Sequence, residues 1–258
     1  MIKTCKIYLF ALMSCLVCLP SVYAHETIIK PVSLSAEQGK TVPFSVISTH
    51  VFMVSQDMEL FENVDVTMIN NDTVTPITLK PNPKLMTLDG TVLCKEEGYA
   101  IISGHRKGMI YTQTTQGSKL GSKKEFKNAA GPSKNYEKFC KALIKVGKAN
   151  YGYDKIINDK LEIVPMTNPD LTRINMEMEF QILYNGNPLS TEVRATYDGF
   201  STTPNTFAYI TKCNAEGIAK VKITQPGTWM VHVENQENQA DQDYDVHVTR
   251  AVLVFEVK

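Results

Sequence analysis

Short β-branched runs cut off by turn residues fill the chain after residue 25, and this pattern confines it to a β architecture. Runs at 27–31 and 41–47 flank Gly39, and runs at 65–69 and 74–79 flank Asn70-Asn71-Asp72. Runs of this length bounded by Gly, Asn and Pro read as strands. Others follow at 85–93, 98–103 and 109–115, with His105 in a turn between the last two. A polar stretch at 116–132 reads as a loop. Beyond position 158, runs at 161–164, 175–184, 191–197, 206–211, 219–223, 228–233 and 246–257 give about seven strands in about 100 residues, the size of an immunoglobulin-like sandwich. Asn185-Gly186 is a hairpin signal between two of them.

One stretch changes period. Tyr136, Phe139, Leu143 and Val146 share one helical face, and Lys134, Lys138, Lys141, Lys145 and Lys148 share the other. This spacing predicts an amphipathic helix over 133–146, ended by Gly147, with its lysines in solvent. The expected fold is therefore mainly β: two β-sandwich (immunoglobulin-like) domains, 25–157 and 158–258, with one amphipathic helix between them.

Residues 1–24 read as a secretory signal peptide. Lys3 and Lys6 precede an apolar run at 7–19, Pro20 breaks it, and Val22-Tyr23-Ala24 offers the small residues a signal peptidase accepts. The run is shorter than the roughly 20 residues that span a bilayer. The expectation is a periplasmic protein whose mature chain begins at His25. Cys5, Cys15 and Cys18 leave with the leader; Cys94, Cys140 and Cys213 remain. Three cysteines leave at least one free thiol or an intermolecular bridge. No Cys-x-x-Cys pair offers a thiolate zinc site. Lys and Arg number 27 against 27 Asp and Glu, so no basic excess points to nucleic acid.

Nothing in the sequence points to an enzyme. It has no Gly-x-Ser-x-Gly elbow, phosphate loop or His-Glu-x-x-His. The chemistry lies in five histidines: His25, His50, His105, His232 and His247. Imidazole suits nickel, cobalt, copper and zinc. Cleavage after Ala24 would give His25 a free α-amine with a pKa of about 8 beside an imidazole near 6.5. Together these form a two-nitrogen chelate. If the first two strands pair through the Gly39 turn, His50, at the end of the second, returns beside His25. The loop after it is acidic, with Asp57, Glu59 and Glu62. His247 follows Asp241, Asp243 and Asp245 in alternation, which in an extended strand puts all four on one face. The candidate metal ligands are His25, His50 and His247. His105, among basic neighbours, and His232, alone in a strand, come second.

Several segments carry a family resemblance: "AHETIIKP" at 24–31, "STHVFMVS" at 48–55, "EKFCKALIKVG" at 137–147, "LEIVPMTNP" at 161–169, "ILYNGNPL" at 182–189, "PGTWMVHVEN" at 226–235 and "DYDVHVTRAVLVFEV" at 243–257. In this order they resemble an exported bacterial family of unknown function described as the NikM-like periplasmic component of nickel or cobalt uptake. The resemblance spans nearly the whole mature chain. It implies a periplasmic β-protein that binds nickel or cobalt (copper or zinc being alternatives) and serves a membrane metal permease. Two other readings stand beside it. One is an adhesion module using the loop at 198–205. The other is a copper-dependent enzyme using the N-terminal histidine.

Overall fold

The computed structural model describes residues 25–239 and 242–258; the expected leader at 1–24, and Asp241, lie outside them. The first half contributes β1 (Glu26–Pro31), β2 (Ser35–Ala36), β3 (Thr41–Thr49), β4 (Val64–Asn70), β5 (Thr73–Ile77), β6 (Lys80–Asn82), β7 (Thr87–Leu93), β8 (Gly98–Thr114), β9 (Gly117–Leu120) and β10 (Ala129–Val146). The second half contributes β11 (Leu161–Pro165), β12 (Glu177–Tyr184), β13 (Asn187–Pro188), β14 (Glu192–Tyr197), β15 (Tyr209–Lys212), β16 (Ile218–Lys222), β17 (Gly227–Asn238) and β18 (Val246–Val257). The protein is mainly β, and its helical content among the described residues is three single-turn 3-10 segments.

Three sheets stack. The middle one runs β15-β14-β17-β18-β10-β8-β4-β5, and its β10–β18 pair is parallel. An outer sheet, β1-β3-β7-β6, covers one face, and β11-β12-β13 with β16 covers the other. Alternation along the middle strands feeds two cores. From β10, Cys140, Ala142, Ile144 and Val146 enter the first core, with Ile28, Phe44 and Leu88. Phe139 and Leu143 enter the second, with Phe180, Trp229 and Phe255. The cores draw mainly on residues before and after position 158 respectively, while the sheet between them is common to both.

The expected helix over 133–146 is a strand. Residues 129–146 form β10, bonded to β8 on one side and β18 on the other. A strand buried on both faces has no period-2 signature, so its apolar residues can mimic a helical stripe. Its lysines are not a solvated face: Lys138, Lys141 and Lys145 are all buried. Lys141 Nζ meets Glu162 Oε1 at 2.9 Å, and Lys145 Nζ donates to the carbonyls of Gly147 and Ala149. The turn expected at His105 is also absent, because residues 98–114 are one strand, β8. The 116–132 stretch holds β9 and the start of β10 as well as loop.

Candidate metal centre

β1 and β3 pair antiparallel, with Glu26 opposite Thr49. One step further, His25 and His50 face each other, their rings stacked with centroids 4.1 Å apart and planes 27° apart. The loop after His50 folds back to brace it. Gln56 Oε1 accepts from the His50 N–H at 2.5 Å, and the Gln56 N–H donates to the Ser48 carbonyl at 2.9 Å. From the second half of the chain, the Asn205 N–H donates to the His50 carbonyl at 2.9 Å. Both histidines are half-buried. His50 Nδ1 is inaccessible to solvent and has no hydrogen-bond partner among the described residues. A buried polar atom left alone costs stability and calls for an explanation, such as a ligand or water.

Burial holds the His25 pKa below its ordinary value; His50 and Lys138 push the same way, against the opposing pull of Asp57 and Glu59. A depressed pKa keeps the ring neutral, as a metal ligand must be.

Beneath the pair lies a belt of buried charge. Four directly adjacent strands carry Glu234, Arg250, Lys138 and Arg106 in one row. Two glutamates lie over that row. Glu26 Oε1 accepts from Arg250 at 2.7 Å, and Glu59 lies 3.3 Å from Lys138 and 3.8 Å from Arg106. Glu59 Oε1 also accepts from Thr27 at 2.6 Å and Ser48 at 3.1 Å, so that oxygen is occupied. Despite desolvation, Lys138 and Arg106 hold the Glu59 pKa down. Burial lowers that of Lys138 to about 8.

The third expected ligand is elsewhere. His247 lies on the opposite face of the middle sheet, with Nε2 3.1 Å from Glu137 Oε2 and Nδ1 3.2 Å from Lys160 Nζ. His105 Nε2 meets the other Glu137 oxygen at 2.8 Å, and its ring stacks on Phe139. Of the expected row of aspartates ahead of His247, the two described members are paired with lysines. Asp243 and Asp245 precede the strand and meet Lys124 at 3.2 Å and Lys123 at 2.6 Å. His232 is buried, its Nε2 3.4 Å from Glu26 Oε2. Among the described residues, no three His, Cys, Asp or Glu side chains are grouped as a metal cage. The nitrogens at the His25 end are therefore two imidazoles, plus the α-amine that cleavage would create.

Lys138 was read as part of a solvated helix face, and Glu59 as part of an acidic loop; Glu26 and Arg250 escaped the sequence reading. Arg250 had a signal: it is the one charged residue in the run at 248–255.

The chain belongs to a family defined as a domain of unknown function, DUF4198, whose model matches residues 22–237. No curated protein matches it. Among solved structures, the D0-D1 domain of intimin aligns at 13% identity over 89% of this chain and 97% of that one, with a TM-score of 0.22. The mouse nectin-like molecule 4 ectodomain aligns at 13% identity over 91% and 65%, with a TM-score of 0.20. Murine CEACAM1b aligns at 8% identity over 90% and 99%, with a TM-score of 0.22. Overlaps this loose carry no argument about fold or activity.

Proposed function

We propose that the protein is exported, cleaved after Ala24, and works in the periplasm as a binding protein for a divalent transition metal. Its ligands are the α-amine and imidazole of His25 and the imidazole of His50. The observation that carries this is the stacked His25–His50 pair with the buried, unpartnered Nδ1 of His50. His247 takes no part in the site, because it lies on the far face of the middle sheet beside Glu137 and Lys160. An all-nitrogen set suits Ni(II) and Cu(II), and Cu(II) binds such sets more tightly. Nickel or cobalt is the proposed cargo for a membrane permease, with copper the competitor to test first.

The test is titration of protein beginning at His25 with Ni(II), Co(II), Cu(II) and Zn(II). One equivalent should bind. An extra residue ahead of His25, or His50→Ala, should weaken binding at least 100-fold. Equal binding by all three proteins would overturn the assignment.

A further inference from the structure

The first residue of a chain frays unless something ties it down. His25 lies one residue beyond the last β1–β3 register pair, Glu26–Thr49, so strand pairing alone does not hold it. Glu26 supplies the tie. Its carboxylate enters the sheet, with Oε1 2.7 Å from Arg250 Nη1 and Oε2 3.4 Å from His232 Nε2. Arg250 is held in turn by Glu234 Oε2, 2.7 Å from its Nε. Glu26 is 9% exposed, Arg250 7% and His232 3%. A charge-assisted bond in such a dry setting is short, directional and strong.

We propose that the Glu26–Arg250 ion pair positions the His25 chelate. It pins residue 26 against the middle sheet, so that the amine and imidazole of residue 25 stay opposite His50. The inference rests on reading His25 and His50 as metal ligands. It also regulates loading. Arg250 and Glu234 come from β18 and β17, so the three-nitrogen site exists only when the end of the chain is in place. Before that, the chain offers only the two-nitrogen clamp of its first residue.

Groups that orient metal ligands without touching the metal change affinity about 10- to 100-fold when removed. The experiment uses protein beginning at His25, with Cu(II) as the probe, and measures affinity by competition with a chromophoric chelator. The Cu(II) electron paramagnetic resonance spectrum reports ligand geometry. Glu26→Gln, which keeps the shape and removes the charge, should weaken binding about 10- to 100-fold and alter the spectrum. Arg250→Met should do the same, and Arg250→Lys should recover part of the loss. Because Arg250→Met can fail to fold, Glu26→Gln is decisive, with circular dichroism confirming its fold. Wild-type affinity and spectrum in folded Glu26→Gln would overturn the proposal.

A metal-free measurement separates this inference from the metal reading. Hydrogen exchange at residues 26–29 should be slow in the wild type and fast at 26 and 27 in Glu26→Gln. If the wild type binds no metal but shows this difference, the pin stands and the metal reading falls. If the exchange does not differ, the pin falls.

Discussion

Two histidine pairs lie on opposite faces of the middle sheet, and neighbouring residues of the same strands serve both. In β10, Glu137 faces His105 and His247 while Lys138 faces the His25 side. In β8, His105 turns one way and Arg106 the other. The difference lies in what closes each pair. His105 and His247 flank one carboxylate, Glu137, which bonds His105 Nε2 at 2.8 Å and lies 3.1 Å from His247 Nε2 without a hydrogen bond to it. His25 and His50 stack on each other near a lysine, and Glu59 Oε1 is committed to Thr27, Ser48 and Lys138. Under the function proposed above, the pair that flanks a carboxylate is structural and the stacked pair takes a cation from outside.

The contrast can be broken by experiment. The largest effect is expected on the closed face. Lys141→Met leaves the Glu162 carboxylate, 1% exposed, without its cation, and should cost about 3–5 kcal/mol in urea unfolding. A loss under about 1 kcal/mol would mean that this face is not held by its ion pairs. Next comes an exchange of roles. His50→Ala should lose at least 100-fold in metal affinity, about 2.7 kcal/mol, with little change in stability. His247→Ala should keep its metal affinity and lose about 1–2 kcal/mol of stability. Identical behaviour of the two variants would erase the distinction.

Asp159 offers a third test, also on the closed face. Burial raises its pKa from 3.8 to about 6, with Glu162 adding to the rise and Lys141 opposing it. The folded state therefore holds its proton more tightly than the unfolded state. The resulting cost is present above about pH 6 and disappears below the unfolded value. Asp159→Asn should stabilise the protein by about 2 kcal/mol at pH 7 and by nothing near pH 3.5. Equal gains at both pH values would refute that account. The smallest effect concerns the open face. The amine of residue 25, with its pKa of about 8, must lose a proton to bind metal, so affinity should fall about tenfold per pH unit from pH 7.5 to 6.5. The His25 ring, held below its usual pKa, adds to the loss only at lower pH. A flat profile would remove the amine from the ligand set.

The first part of β3 was legible because it has one wet face. β3 reads as alternation, Gly39 marked its turn, and the approach of His50 to His25 followed from those two facts. In the middle sheet β4, β5, β14, β15, β17 and β18 were legible as strands, whereas β10 and the full length of β8 were not. β10 is buried on both faces, so Tyr136, Phe139, Leu143 and Val146 formed an apparent helical stripe while Cys140, Ala142 and Ile144 were just as deeply placed. In β8, Gly104 and Gly108 looked like turn residues. Both are there for close packing: a Cβ on Gly104 would meet the Cys140 sulfur at 2.8 Å, and one on Gly108 would meet Asn135 Oδ1 at 2.5 Å. The separation of His247 from His25 was also invisible. It depends on which face of a shared sheet each occupies, and local spacing carries no record of that. Lys123 and Lys124, which neutralise Asp245 and Asp243, lie more than a hundred positions away in sequence.

The three cysteines remaining after residue 25 are free, and all are buried. Burial raises the pKa of each thiol, most of all that of Cys140. Only the thiolate attacks disulfides, captures soft metals or passes electrons to an oxidant. The redox consequence is indifference. The fold needs no oxidase to complete it, and a change in the surrounding thiol balance should leave it intact. A cupric ion held at the surface would find no exposed thiolate among the described residues to reduce it.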